Sequence, residues 1–332
     1  MVLIGKSKLG YAQSKIISPV GSNKKNENYA AYYVLPSVGM ISKNNTTDLL
    51  ATYTFNYQLP KIIDLYEGYI LSDVRTFSRG ASVYVPESSH LLTMNCRFQN
   101  FENYYNAPAY FINTLISRGT GGYQYRYEFE NTSQLNQKIR NLFPTNNTLI
   151  AGGVEQYIAF LLSTIKFRPT LSWTTYTNSL NNNENRENQS FSSTLNFTMR
   201  SGFKHLFNFA WGISPSWNTF RTHSAGAINT FRYNQIGGYL DLYFNFKKEV
   251  EFRIENEFFS FQNQQQARQG YIFVNAYAGY SIKKWNTKIG LRMKNIGNSA
   301  GLANIFVNDI STITRTLKLL PRYVLLEINF RG

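Results

Sequence analysis

Along most of the chain, hydrophobic and polar residues alternate with a period of two, in segments of about ten residues. Successive side chains of a strand point to opposite faces, so each such segment reads as a two-faced strand. In residues 190–200 one face is Phe191, Ser193, Leu195, Phe197 and Met199, and the other is Ser190, Ser192, Thr194, Asn196, Thr198 and Arg200. Residues 235–246 oppose Ile236, Gly238, Leu240, Leu242, Phe244 and Phe246 to Gln235, Gly237, Tyr239, Asp241, Tyr243 and Asn245. The next segment sets Val250, Phe252, Ile254 and Phe258 against Glu249, Glu251, Arg253, Glu255 and Glu257. The same reading predicts strands over 49–58, 91–100, 107–117, 154–162, 169–177, 205–216, 271–282, 285–296 and 322–331.

The connections between these strands also alternate. Tight turns are expected at 201–204, Lys247-Lys248 and Lys283-Lys284, and long loops rich in Asn, Gln and Ser at 178–188, 215–229 and 262–268. Short turns at one end and long loops at the other are the pattern of an all-β, transmembrane, antiparallel up-and-down β-barrel, with the short turns periplasmic. Here about 13–14 of its strands would be present. A soluble sandwich alternates too, but its strands are usually about five or six residues long and its polar face meets bulk water. The polar faces here mix Glu, Arg, Asn, Gln and Tyr, as a wet lumen would. Trp285, Tyr280, Phe246 and Phe203 stand near strand ends, where interfacial aromatic girdles belong.

Composition agrees with that picture. Of 332 residues, 24 are Tyr and 25 Phe, while charged residues make up only 16%, well under the usual quarter. The longest apolar runs, such as 157–162, are far shorter than the roughly 20 residues a spanning helix needs. A net charge of +15 raises the question of a phosphate-bearing partner. Lys and Arg are scattered, however, and no nucleic-acid module is present, so no nucleic-acid partner is expected.

Catalytic and metal chemistry find no foothold. Cys96 is the single cysteine, which excludes an intramolecular disulfide and any cysteine-based metal site. His90, His205 and His223 have no metal-ligand spacing, and neither a Gly-x-Ser-x-Gly elbow nor a phosphate-binding loop occurs. No enzyme activity, cofactor or metal is therefore expected. Glu249, Glu251, Glu255 and Glu257, with Arg253, could pass for paired catalytic carboxylates. On a strand, alternate residues stack along one wall about 6.6 Å apart, so these are read as lumen wall. The candidates for substrate contact are Trp217, Arg221, His223 and Arg232. They mix aromatic and basic groups in what are expected to be outer loops and upper lumen, and would suit a sugar, a peptide or an anionic chelate.

Three segments resemble a known family. The last strand, Arg322-Tyr323-Val324-Leu325-Leu326-Glu327-Ile328-Asn329-Phe330-Arg331-Gly332, resembles the carboxy-terminal strand that the barrel-assembly machinery reads in outer-membrane proteins. Val324, Leu326, Ile328 and Phe330 would form its lipid face. Residues 285–298 (WNTKIGLRMKNIGN) are similar to the penultimate strand of TonB-dependent receptors, with Lys294, Asn295 and Ile296 carrying the match. Residues 51–97 place TYTFNYQLP, then Ile62, Asp64 and Leu65, then Gly80 and Pro86-Glu87, in an order found in the second half of the barrel of Bacteroidetes members.

The resemblance implies the carboxy-terminal part of a 22-stranded barrel embedded in outer-membrane lipid. It also implies uptake of a nutrient driven by a TonB-type energy coupler, acting through a plug that these residues do not include. A surface lipoprotein partner is compatible with it. Residues 1–15 contain no apolar stretch of a secretory signal, as expected if all 332 residues form one barrel domain from the later part of a longer protein. Two alternatives stay open: a stand-alone passive channel of about 14 strands, and a surface adhesin or other soluble β protein.

Overall fold

The computed structural model describes residues 2–17, 26–99, 107–130, 133–181, 184–203, 206–224, 226–246, 249–264, 268–299, 301–307 and 312–330. The expected turn Lys247-Lys248 and the residues His205, Arg331 and Gly332 lie outside them.

The strands are β1 Val2–Ile17, β2 Asn26–Lys43, β3 Thr47–Gln58, β4 Tyr69–Asp73, β5 Thr76–Arg79, β6 Glu87–Phe98 and β7 Ala109–Gly121. They continue with β8 Tyr123–Glu130, β9 Ser133–Arg140, β10 Thr145–Ile158, β11 Ser163–Leu180, β12 Glu184–Ser201 and β13 Phe207–Ser224. The rest are β14 Ala227–Phe246, β15 Val250–Asn263, β16 Gln269–Ile282, β17 Thr287–Lys294, β18 Gly301–Val307, β19 Thr312–Lys318 and β20 Tyr323–Phe330.

Antiparallel pairing links β1, β2, β3, β6, β7, β10, β11, β12, β13, β14, β15, β16, β17 and β20 in that order. Among the described residues this is a fourteen-stranded up-and-down wall. Among the described residues β1 does not pair with β20, so the sheet is open. Four further strands form an extension at one end, where β4 pairs with β5, β5 with β9, β9 with β8, and β8 with the top of β11. β18 and β19 make a separate hairpin.

The two ends differ as the expected turn pattern requires. At one end the links are short, including two 3-10 turns, Ala159–Leu161 and Lys283–Trp285. Each closes through a left-handed residue, Leu162 (φ 44°) and Asn286 (φ 49°). The other end carries the extension and the β18–β19 hairpin.

Each predicted strand falls on a wall strand, but the lengths change. The loops expected at 178–188 and 215–229 are not loops. β11 and β12 pair continuously from Ser163–Ser201 up to Leu180–Glu184, and β13 and β14 pair up to Ser224–Ala227. Polarity in a sequence suggests a loop, but here Asn178, Ser179, Asn188 and Thr222 are buried within the paired hairpins, and the backbone ladder forms regardless of side-chain polarity. The strand expected at 154–162 turns out to be the end of β10 plus a 3-10 turn, and the one expected to begin at Trp285 begins at Thr287.

Burial is inverted relative to a soluble fold. Among the described residues the buried hydrophobic ones are few: Ala81, Val85, Ala210, Phe261 and Tyr277. Asn178, Asn188, Ser163 and Ser179 are the most completely buried side chains among the described residues. Large apolar residues instead stand exposed on one face, as Leu240, Phe258, Ile272, Leu291, Leu326 and Ile328 do.

Candidate functional site

The polar face of the carboxy-terminal wall is built by register. Asp241 pairs with Glu255, Tyr243 with Arg253 and Tyr239 with Glu257 across β14 and β15. Across β15 and β16, Arg253 pairs with Tyr277 and Glu251 with Gly279, and across β16 and β17 Tyr277 pairs with Arg292. Gly290 then pairs with Glu327 of β20. These residues alternate with the apolar set, so all of them lie on the face opposite Ile254, Leu291 and Ile328.

Tyr277 is the centre of this surface and is only 6% exposed. Three cations lie over its ring: Arg253 at 5.5 Å, Lys288 at 5.6 Å and Arg292 at 5.1 Å. The ring rests on Gly279 and Gly290, where a Cβ would approach the hydroxyl to 2.8 and 2.6 Å. Glycine at both positions lets the tyrosine lie flat and cover backbone that lacks side chains, a known device of curved sheets. Carboxylates hold the cations in place. Glu251 takes Lys288 at 2.6 Å and Arg253 at 3.3 Å. Arg292 donates from Nε at 2.6 Å and Nη2 at 3.3 Å to the two oxygens of Glu327.

Glu251, Arg253, Glu255 and Glu257 thus share one face. Glu249 precedes β15, in the short-turn end, and pairs with Lys283. Among the described residues Glu255 and Glu257 have no ion pair within 4 Å. An open groove of about 670 Å³ runs from Thr164, Lys166 and Thr198 past Gly212 and Tyr239 to Asp241 and Glu257. Its lining can hydrate a solute or an ion and offers both charge signs. Among the described residues no group of three His, Cys, Asp or Glu could hold a metal.

The four residues singled out for substrate contact are brought together, but not in loops. Trp217, Arg221 and His223 alternate along β13, and Arg232 pairs with Thr219. The same rungs run continuously down through Ile213, Trp211 and Leu240. All four therefore stand on the apolar-stripe face, opposite the polar wall, which corrects the expected upper-lumen and loop placement: polar residues at the top of a strand keep the backbone ladder. The carboxy-terminal strand lies against β17, with Val324, Leu326, Ile328 and Phe330 on the rungs of Met293, Leu291, Ile289 and Thr287. Tyr323 faces the other way, beside Lys294.

Asn295 explains the Lys-Asn-hydrophobic turn. Its backbone is left-handed (φ 52°), its N–H donates to Asn275 Oδ1 at 3.0 Å, and its side-chain amide donates to the carbonyls of Ser299 and Leu320 at 3.0 and 2.9 Å. Asparagine tolerates that conformation and supplies the amide, so one residue ends β17 and gathers the returning chain.

A second polar cluster, in the extension, was not anticipated. Asp64 and Lys138 form an ion pair, and Lys138 also sits 5.6 Å above the Tyr125 ring. The Tyr123 hydroxyl donates to the Val83 carbonyl at 2.9 Å and accepts from the Val85 N–H at 3.0 Å. Burial alone would raise the Asp64 carboxyl. Hydrogen bonds from Lys138 and the Lys61 N–H, with the lysine charges, outweigh it and hold the group below the usual carboxylate range. Burial would likewise lower Lys138, and the hydrogen bond to Asp64 outweighs it. The strict alternation of Tyr123, Tyr125, Tyr127 and Phe129 with Gln124, Arg126, Glu128 and Glu130 was the available signal for this element.

An antiparallel up-and-down wall with an outward apolar stripe and a polar inner face defines the architecture of a transmembrane β-barrel. No protein-family model and no curated protein sequence matches the chain. Among solved structures it is similar to the siderophore receptor PiuA from Acinetobacter baumannii, at 8% identity and TM-score 0.46, with 88% of the chain covered. The chain spans about half, 48%, of that receptor's length. It is also similar to a FadL homologue from Pseudomonas aeruginosa (9% identity, TM-score 0.35, covering 98% of the chain and 86% of the homologue). A third similar structure is the ferric-catecholate import receptor Fiu from E. coli K12 (10% identity, TM-score 0.32, covering 99% and 80%).

Proposed function

We propose that this chain is barrel wall of an outer-membrane transporter, of the TonB-dependent receptor type, that takes up a nutrient such as a chelate, glycan or peptide. The observation that carries the reading is the inverted burial. Exposed side chains such as Leu240, Ile272, Leu326 and Phe330, 43–78% accessible, lie on the apolar face, while Tyr277 and its cations fill the other. Only a lipid surround satisfies the first face, and only a wet or plugged lumen the second.

Two features support the receptor over other barrels. Residues 51–97 and 285–298 carry the resemblance described above, and Asn295 gives the second match a structural reason. Among the described residues β1 and β20 each keep one edge without a partner, and an open edge is costly in a bilayer; the proposed 22-stranded barrel would cover both. In this reading β20 is the strand offered to the assembly machinery, a plug answers to a TonB-type coupler, and a surface lipoprotein could sit on the extension. The chain performs no catalysis and needs no cofactor.

One observation favours a second reading. The wall has fourteen strands, an even number that could close β1 onto β20 as a passive channel. The mass of the native protein in outer-membrane fractions separates the two, with heated and unheated samples compared. A heat-modifiable band well over 38.3 kDa supports the receptor. One at 38.3 kDa supports the channel, and absence from the membrane refutes both.

A further inference from the structure

The register that removes Trp217, Arg221, His223 and Arg232 from the lumen gives them another place. The apolar stripe on β14 runs from Phe246 to Ile236. Ten residues at about 3.3 Å each, tilted about 40°, make a band about 25 Å tall, the height of a bilayer's apolar core. Trp217 is the next rung above Pro215 and Ile236, where an interfacial aromatic belongs. Arg232 is one rung higher, beside Thr219, and Arg221 lies diagonally across from it, beside Thr230.

A third arginine stands lower on the same face. Arg268 opens the approach to β16 and donates from Nε to Ser260 Oγ at 2.8 Å. Ser260 shares a rung with Ile236, on the same outward face. Arg221, Arg232 and Arg268 are exposed, and among the described residues none has a carboxylate within 4 Å. The nearest acid in register is Glu187, which pairs with His223 two residues beyond Arg221. Below Arg268 an open, apolar groove of about 720 Å³ descends the outward face between Leu240, Phe258 and Ile272, with Gly270 contributing no side chain. The arrangement is not confined to this hairpin. On β6 and β7 the outward rungs Cys96–Ile112, Met94–Thr114 and Leu92–Ile116 give way at the same end to His90–Arg118.

We infer that Arg221, Arg232 and Arg268, with Trp217, form an extended outward-facing site for an acyl lipid with a diphosphorylated headgroup, its phosphates along arginines spread over about 20 Å of strand and a chain in the groove beneath Arg268. Three observations meet at that point: charge complementarity, since cations without carboxylates suit an anionic headgroup; position at the upper rim of the apolar band; and a continuous apolar groove leading down from the charge. The inference rests on the membrane reading above.

The test uses the full-length protein purified from outer membranes in mild detergent. Lipid A in phosphatidylcholine nanodiscs is the probe, and phosphorylated lipid retained per protein, measured by native mass spectrometry, is the readout. An arginine near an anionic headgroup surface contributes about fivefold to binding. The Arg221→Gln/Arg232→Gln/Arg268→Gln variant is expected to lose more than about tenfold of the retained lipid A while staying heat-modifiable. Arg221→Lys/Arg232→Lys/Arg268→Lys should restore most of it, and Arg168→Gln on the opposite face should change nothing. Wild-type retention by the triple Gln variant would overturn the site. Displacement of lipid A by inorganic phosphate alone would reduce it to an anion site without the groove, which also overturns the lipid assignment. A wild-type protein missing from the membrane would overturn the membrane reading, and this inference with it.

Discussion

Ile254→Arg tests the face assignment at its most sensitive point. Ile254 lies on the outward face of β15, paired with Leu242 and Ala276. It sits four residues above Val250, the lowest rung that β15 shares with β14. At about 3.3 Å per residue and a tilt of about 40°, that is about 10 Å into a band about 25 Å tall, close to the midplane. An arginine on the lipid face there costs about 2–4 kcal/mol, against about 0–1 near an interface. The folded-to-unfolded ratio should therefore fall by about 30- to 700-fold, at tenfold per 1.4 kcal/mol. The assay is urea unfolding in lipid vesicles followed by the gel shift between folded and heated forms. Val250→Arg, at the band edge, should cost about 1 kcal/mol or less, and Glu255→Arg, facing the lumen, should be similarly mild. Equal penalties at 250 and 254 would refute the bilayer, and a larger penalty at 255 than at 254 would refute the assignment of faces.

Gly290→Ala would drive a methyl against the buried Tyr277 ring. Overpacking of this kind costs about 1–3 kcal/mol, whereas an unchanged thermal midpoint would mean the ring is free to move. Glu251→Gln removes the carboxylate shared by Lys288 and Arg253. A loss of about 1.5–3 kcal/mol is expected from the charged hydrogen bonds, read by urea unfolding and diminished at high salt. The extension should respond to pH. Because Asp64 is held below its usual range, its contribution is present above the unfolded carboxylate value of about 4 and is lost as acid protonates it. Because Lys138 is held above its own, its contribution persists up to about pH 10 and is lost as the pH rises through the raised value. The protection of β8 and β9 amides, relative to their intrinsic exchange rate at each pH, should therefore be greatest between those limits, and Asp64→Asn should abolish the acid limb.

Much of the wall could be read from alternation because a barrel strand is buried on neither face as a soluble core is: one set of side chains meets lipid and the other water, so the contrast survives in residues 190–200 or 250–258 without blurring. The same contrast misled above the membrane. Once a strand rises clear of lipid both faces are polar, and Asn178, Asn188, Arg221 and Thr222 lose the periodic signal while keeping the ladder. Face could be read, but neighbours could not. That Arg253, Lys288 and Arg292 converge on one tyrosine depends on the registers of two strand pairs, β15–β16 and β16–β17, and the Asp64–Lys138 pair joins segments 74 residues apart. β8 carries its own signal, an alternation of aromatic against polar and charged residues, Tyr123, Tyr125, Tyr127 and Phe129 against Gln124, Arg126, Glu128 and Glu130.

The long paired hairpins have a consequence for how this chain can vary over time. A floppy outer loop can gain or lose any number of residues. In β11–β12 or β13–β14, paired almost to the tip, a single inserted residue would turn every side chain beyond it to the opposite face. Length changes there should survive only as matched additions to both strands, or as bulges that absorb the odd residue. The height of these hairpins would then drift among descendants in discrete steps, each adding one rung to both arms.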